Sequence, residues 1–375
     1  MQRKILFQVG GAVLTVLTLC ALLFLPGRAS AQVTARTATT TSINANVFLT
    51  SSMLQPTFQS SINAQVPQAM SQVIASMVGS LPKEDQGWAT QMANALLQPS
   101  ASLVSVTPQD KGLLVTLKLS LYQGDPKATT TKLLVGFSVA NPTTIQVTAL
   151  PLNGKSGLVT GPLITFAMPL GTLNSIAPAL NCGDADLNIS MKLPVAMSAQ
   201  TASPFSLASN GVIQPLSAMQ PLTTVSTVAA APGAYIEIPA ASLAQVGSAM
   251  GTMTVSSSLT ADKIRVDVQK PNLVITSDLH WHGILIGNAV STVAPGAANG
   301  KLAMHVISTD LKILGGLMTF PMNSYNAQTE QTLNSQLNSA LAGKVTVSQA
   351  AVGGNSHIPC ALGNSLVLTG DIIMD

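Results

Sequence analysis

The residues most able to do chemistry stand in the hexapeptide DLHWHG, which begins at Asp278. Side chains alternate between the two faces of a β-strand, so Asp278, His280 and His282 would share one face and Trp281 would take the other. With His305 from a later strand they could hold Zn²⁺, which takes nitrogen and oxygen ligands. The other interpretation is a partly solvated sheet face with Trp281 packed inside. We favour it and predict no metal, because the sequence shows no residues that would support the ligands from behind.

The other chemical motifs are incomplete. The tripeptide GKS that ends at Ser156 resembles the end of a phosphate-binding loop, but Ala149 stands where the first glycine is needed. Neither the Gly-x-Ser-x-Gly elbow nor a His-Glu-x-x-His helix occurs in the sequence. Asp184 and Asp186 fall in a predicted turn, where capping or solvation is the expected role. We therefore predict a protein that is not an enzyme, with no catalytic residues and no cofactor.

Three cysteines occur, of which Cys20 lies in the apolar N-terminal run. Cys182 and Cys360 each precede the last strand of a predicted unit. Cleavage of the predicted signal peptide would leave these two cysteines alone, and an even number of cysteines in an oxidising compartment suggests a disulfide. Two buried free thiols at equivalent positions are the other interpretation. We favour the thiols, because equivalent positions in two units need not be adjacent.

The N-terminus indicates export. Arg3 and Lys4 precede an apolar run that ends at Leu25, and a small-residue cleavage pattern ends at Ala31. We interpret residues 1–31 as a signal peptide, with a retained membrane anchor as the alternative. Either places the rest of the chain outside the cytoplasm, secreted or attached to the cell envelope.

Composition argues against a nucleic-acid partner. Only 8% of the residues are charged, 47% are hydrophobic and 3% are aromatic. Cleavage after residue 31 would remove three of the 17 basic residues and leave 14 against 14 acidic ones. Binding to nucleic acid needs a basic surface, and base stacking usually needs aromatic side chains. We predict no nucleic-acid partner.

The mature chain begins with a Thr- and Ala-rich stretch, residues 32–46, which we interpret as a disordered spacer. Residues 47–198 form a first predicted unit. It opens with an amphipathic helix from Leu54, in which apolar residues recur every three or four positions. A second helix carries one apolar face, and β-branched runs with period two then predict an antiparallel meander. That face consists of Trp88, Met92 and Leu96.

A second unit is predicted over residues 234–375, after an Ala/Ser/Thr/Pro-rich linker at 199–233. In both units a strand ending in Thr-Phe leads to a predicted helix with the tetrapeptide TLNS, then to a cysteine and a final strand. This order predicts an internal duplication. The fold class is therefore α+β, with two related units that each have an antiparallel sheet and an amphipathic helix.

The strands ADKIRVDVQKPNLVITSDL and GKLAMHVISTDLKILG, followed by the helix PMNSYNAQTEQTLNSQLNSAL, resemble the tubular lipid-binding (TULIP) superfamily. The likeness is closest to its small bacterial envelope phospholipid-binding proteins. It covers about residues 234–375 and, more faintly, 47–198. The resemblance implies a strongly curved antiparallel sheet wrapped around a long amphipathic helix, with an apolar tunnel between them that takes acyl chains.

The predicted function is an exported protein that binds a lipid or another apolar small molecule, and serves as a lipid carrier with a membrane surface as a further partner. The alternative is a cell-surface structural or adhesive β-rich protein without ligand. The two hypotheses differ in whether an apolar cavity exists. The expected tunnel walls are Leu54, Phe58, Ile62, Val66 and Met70 in the first unit and Met318, Phe320, Leu333, Leu337 and Leu341 in the second.

Overall fold

The computed structural model describes residues 39–151, 162–197, 232–254, 258–341 and 343–373. Over these residues the protein has an α+β fold in which antiparallel strands predominate, as predicted, and one sheet curls into a half-barrel. The predicted signal peptide or anchor, and nearly all of the predicted linker, lie outside the described residues.

The first half of the chain places two helices early. Helix α1 spans Ser51–Gly79 and helix α2 spans Lys83–Leu96, the two regions where apolar residues recur at helical spacing. The strands are β1 Thr39–Thr50, β2 Ser100–Gln109, β3 Gly112–Ser120, β4 Thr129–Asn141, β5 Thr144–Pro151, β6 Pro162–Ala167, β7 Thr172–Pro178 and β8 Ala185–Met197.

The second half places one helix early and one late. Helix α3 spans Ala240–Ala249 and helix α4 spans Asn326–Leu341. The strands are β9 Ala234–Pro239, β10 Met253–Thr254, β11 Leu259–Gln269, β12 Asn272–Trp281, β13 Ile284–Ala298, β14 Lys301–Ile313, β15 Met318–Pro321, β16 Val345–Val352 and β17 Ser365–Ile372.

The described strands form three antiparallel sheets. The first-half sheet is the meander β2-β3-β4-β5-β6, and the second-half sheet is the meander β10-β11-β12-β13-β14-β15. The central sheet takes three strands from each half in the order β16-β17-β9-β1-β8-β7. Its two middle strands, β1 and β9, come from different halves and pair with Val47 opposite Ile236. Each half therefore places its own first strand beside its own last strand.

Two predictions of local structure were wrong. Residues 39–46 belong to strand β1 and not to a disordered spacer, because Ile43 and Ala45 alternate inward and β8 pairs along the whole strand. The segment after Leu170 was expected to be a helix, but Thr172–Pro178 is strand β7 on the edge of β8. The apolar repeat in this segment is too short to distinguish a helix from a strand, and backbone pairing with β8 makes it a strand.

The corrected segment also contains the first copy of the tetrapeptide TLNS. It lies in strand β7 at Thr172–Ser175, whereas the second copy, Thr332–Ser335, lies in helix α4. The same four residues thus occupy different elements in the two halves. This identity does not support a duplication.

The two cysteines form a disulfide, so the favoured interpretation of free thiols was wrong. The loop between β16 and β17 crosses one face of the central sheet, where Ile358 packs with Phe48 and Tyr235. This crossing brings the Cα atoms of Cys182 and Cys360 to 5.0 Å although they lie 178 residues apart. The disulfide therefore joins the end of the second half to the first half.

Candidate functional site: an apolar cavity under helix α4

Helix α4 is attached to the second-half sheet through a ladder of polar side chains. Strand β15 pairs with β14 only from Asp310 onward, which leaves the earlier backbone of β14 without a strand on that side. The helix fills this edge. The ladder consists of Asn326, Glu330, Asn334 and Asn338, one residue for each turn.

Two asparagines imitate a neighbouring strand. The Asn338 amide donates to the Leu302 carbonyl at 2.7 Å and its oxygen accepts from the Leu302 N–H at 3.0 Å. Asn334 makes the same pair of bonds with Met304, at 3.0 Å and 2.6 Å. Backbone groups that would otherwise lack partners are thereby satisfied. The ladder sets the rotation of α4 about its own axis.

That rotation turns the neighbouring leucines of the helix inward. Leu333 and Leu337 face an entirely apolar chamber beneath the helix, with a volume of about 30 Å³. The opposite walls come from Leu243 of helix α3, from Met250 directly after that helix, and from the inner faces of strands β11 to β14. Val195 of strand β8 also lines it, so the first half contributes to the site.

A second and larger chamber, of about 130 Å³, adjoins the first. The two chambers share Met250, Ile275 and Leu333 as lining residues, and so they lie side by side. The lining of the larger chamber is mostly apolar but includes hydroxyl groups. Among them, Ser291 Oγ and Thr309 Oγ1 lie 3.0 Å apart in a hydrogen bond between β13 and β14.

The expected walls of the second unit lie in different places. Leu333 and Leu337 line the cavity, whereas Leu341 is buried in the main hydrophobic core. Phe320 packs beside Leu279 and Leu311, and Met318 is half-buried; none of Leu341, Phe320 and Met318 lines either chamber.

Three of the five expected walls of the first unit lie in the main core and not beside the cavity. Leu54, Phe58 and Ile62 on helix α1 are 1% exposed and belong to the main packed core. The side chains of Val66 and Met70 lie outside the described part of the structure.

Sequence reasoning missed the sheet side of the cavity. Ile275, Ser277, Ser291 and Met304 all line it from strands β12 to β14. A signal was present, because residues two apart on a strand share a face. The sequence did not show which of the two faces would meet the helices.

Asp278 and His280 of the DLHWHG motif lie on the other face of β12, whereas Leu279 between them lines the larger chamber. His280 Nε2 is 3.2 Å from a carboxylate oxygen of Asp262, and with Asp278 these ligand atoms lie within 4.8 Å of one another. The Lys263 ammonium is 2.8 Å from Asp278, and this contact lowers the pKa of Asp278. A cation is thus already present, and a metal ion would have to displace it.

The other histidines are not part of this cluster. His282 lies in the turn after β12 with φ of 47°. His305 Nδ1 lies 3.1 Å from Glu330 Oε2. His357 Nδ1 lies 2.8 Å from Asp184, beside the disulfide. The expected grouping of four ligands therefore reduces to Asp278 and His280, joined by Asp262.

The two aspartates of the predicted turn have separate roles. Asp184 pairs with His357, while Asp186 is buried and accepts a hydrogen bond from Ser51 Oγ. Burial raises the pKa of Asp186, although the bond from Ser51 opposes the rise. Each aspartate therefore bonds to a different side chain, Asp184 to His357 and Asp186 to Ser51, and the two do not act as a pair.

Helix α2 presents its apolar stripe to solvent. Trp88, Met92 and Leu96 lie on one face of the helix, as predicted, and more than half of each side chain is exposed. Among the helices of the described residues, none is both long enough and apolar enough to span a bilayer.

Comparison with known proteins does not place this chain in a family. No protein-family model and no curated protein matches the sequence. A match among solved structures is P47 of Clostridium botulinum E1, at 8% identity and a TM-score of 0.33. It covers 89% of this chain and 100% of that chain. At such a score the match carries no argument.

Proposed function

We propose that this protein is exported and binds a lipid or another apolar molecule in the cavity between helices α3 and α4 and the second-half sheet. The pair of adjoining chambers carries the proposal. Small-molecule sites are usually concave and mostly apolar, with a few placed polar groups, and this cavity has that composition. The activity proposed is binding or carriage, without catalysis or a cofactor.

The cavity has room for one short chain. An apolar cavity of about 150 Å³ takes a molecule of the size of benzene, so the larger chamber, of about 130 Å³, has room for roughly six carbon atoms. Transfer of each methylene out of water contributes about 0.8 kcal/mol. A chain of about six carbons therefore supplies several kcal/mol, against which the loss of its freedom must be set.

The TULIP-like architecture is part of the proposal, as two related units. Its support is the element order, since each half opens with a strand of the central sheet and a helix. Each half then continues into a meander and ends with two more strands of the central sheet. Cys182 and Cys360 precede β8 and β17, the last strand of each half.

An extracytoplasmic location, with a membrane surface as a further partner, is also proposed. It is supported by the export signal in the sequence and by the disulfide, a bond that persists in oxidising compartments.

A second candidate is a structural or adhesive surface protein without ligand. The first half favours it, because Leu54, Phe58 and Ile62 are buried in the main hydrophobic core and line neither chamber. The two candidates differ in whether the second-half cavity is filled.

The test is native mass spectrometry of the exported protein, purified without detergent, followed by lipid extraction. We expect one apolar molecule per chain. Leu337→Asp should give a folded but empty protein, because it places a carboxylate in the apolar chamber. Leu317→Asp, at a side chain 86% exposed in the β14–β15 turn, is the control and should load normally. If the measured mass is that of the protein alone, and stays so after lipid is added, the result would support the structural candidate instead.

A further inference from the structure

The polar groups of the cavity are gathered in the larger chamber. Ser277, Ser291, Thr309, Tyr325 and Thr329 line it, while the smaller chamber is lined by apolar side chains alone. No Asp, Glu, Lys, Arg or His is among the described residues that line either chamber. The site therefore has one hydroxyl-bearing end and one aliphatic end, and neither end is charged.

The Ser291 and Thr309 pair has hydrogen-bonding capacity to spare. Only 6% of Ser291 and 4% of Thr309 is exposed. Each hydroxyl offers one proton and two lone pairs, and their mutual bond uses one proton and one lone pair. One donor and several acceptor positions remain beside the cavity. A buried polar group without a partner is costly, which favours a guest that supplies one.

Charge would be penalised at the same place. A carboxylate or phosphate taken from water into this chamber would find hydroxyl groups but no cationic side chain. Burial of an ionised group without a paired charge costs far more than burial of a hydroxyl, ester or amide. The cavity thus discriminates by the charge of the polar end as well as by chain length.

We infer that the ligand is an uncharged amphiphile with a chain of about six carbons. Its hydroxyl, ester or amide end bonds to Ser291 and Thr309, and its tail extends along Met250 and Leu333 toward the aliphatic chamber. This inference rests on the proposed function.

The test uses the mature protein and isothermal titration calorimetry at pH 8 with two probes of equal length, 1-hexanol and hexanoate. We expect hexanol to bind at least tenfold more tightly. The variant Ser291→Ala/Thr309→Val should weaken hexanol binding about three- to tenfold, the size of one hydrogen bond. Thr292→Val is the control, because Thr292 is the next residue of β13 and does not line the cavity.

The outcomes separate the two claims. If hexanoate or a dihexanoyl phosphatidylcholine binds as tightly as hexanol, the inference is overturned while the proposed function stands. The same holds if the double variant binds hexanol unchanged. If neither probe nor phospholipid binds, the proposed function fails and the inference fails with it. The comparison of probes on the unaltered protein decides the matter even if the double variant does not fold.

Discussion

Helices α1 and α4 attach to their sheets in the same way but enclose different spaces. On α1, Gln59 accepts from the Leu103 N–H at 2.7 Å and donates to the Ala101 carbonyl at 3.1 Å, as Asn334 and Asn338 do from α4 to β14. Yet Leu54, Phe58 and Ile62 of α1 are buried in the main hydrophobic core, while Leu333 and Leu337 of α4 border the cavity. An amphipathic period shows which face turns inward, and the opposite wall determines whether space remains.

The largest effect should come from truncation of matched leucines. Leu54→Ala in the packed core should lower the free energy of unfolding by about 3 to 5 kcal/mol, because it opens a new cavity. Leu337→Ala should lower it by about 1 to 2 kcal/mol, since that side chain is half-buried and already borders a void. Urea unfolding measures both. Equal losses would mean that the two halves are packed alike.

Enlargement of matched leucines sharpens the same contrast. Leu54→Phe should cost about 1 to 3 kcal/mol, because extra volume in a close-packed core forces neighbours to move. Leu333→Phe should cost less than about 1 kcal/mol, since the ring enters the space that the two chambers share. It should also block hexanol binding in calorimetry. A Leu333→Phe protein that is as unstable as Leu54→Phe would argue against the cavity.

The amide contacts should be equivalent in the two halves. Gln59→Leu and Asn334→Leu each leave a strand N–H and carbonyl without their partners, and each should cost about 1 to 3 kcal/mol. Hydrogen exchange should quicken at the Leu103 amide in one variant and at the Met304 amide in the other. No change at Met304 would show that α4 does not hold the edge of β14.

The smallest effect concerns pH. The first half buries Asp186 at the start of β8, where the second half buries Ser365 at the start of β17. Because burial raises the pKa of Asp186 above 3.8, its carboxyl group favours the folded state most below pH 3.8, and this contribution is lost as the pH rises through the raised value. Asp186→Asn should therefore reduce the decline in unfolding free energy above pH 4. Ser365→Ala should leave the pH dependence unchanged.

Much of the local structure could be predicted, and its errors have a common cause. Helices α1, α2, α3 and α4 and the strands of both meanders follow from periods of 3.6 and 2. The tetrapeptide TLNS shows the limit, because it forms a strand beside β8 in one half and a helix beside β14 in the other. A short apolar segment takes the structure that supplies partners for its backbone.

The candidate site shows the same limit. Leu333 and Leu337 could be found because a single helix displays them at a regular spacing. Met250 and Val195 could not, because they come from other elements that only the fold brings to the same chamber. Asp278 and His280 attracted attention as ligands, but β12 turns them to the face away from the cavity and Lys263 neutralises Asp278.

The sequence by itself determined the positions of the amphipathic helices, the antiparallel meanders and the lack of a complete catalytic motif, because these depend on residues that are neighbours in the chain. The tertiary structure decided that Cys182 meets Cys360. It also decided that Leu54, Phe58 and Ile62 of α1 are buried in the main core, whereas Leu333 and Leu337 of α4 line a cavity. Each of these depends on how far apart two distant segments come to rest. That distance is set by the volume of all the side chains between them, which no local pattern records.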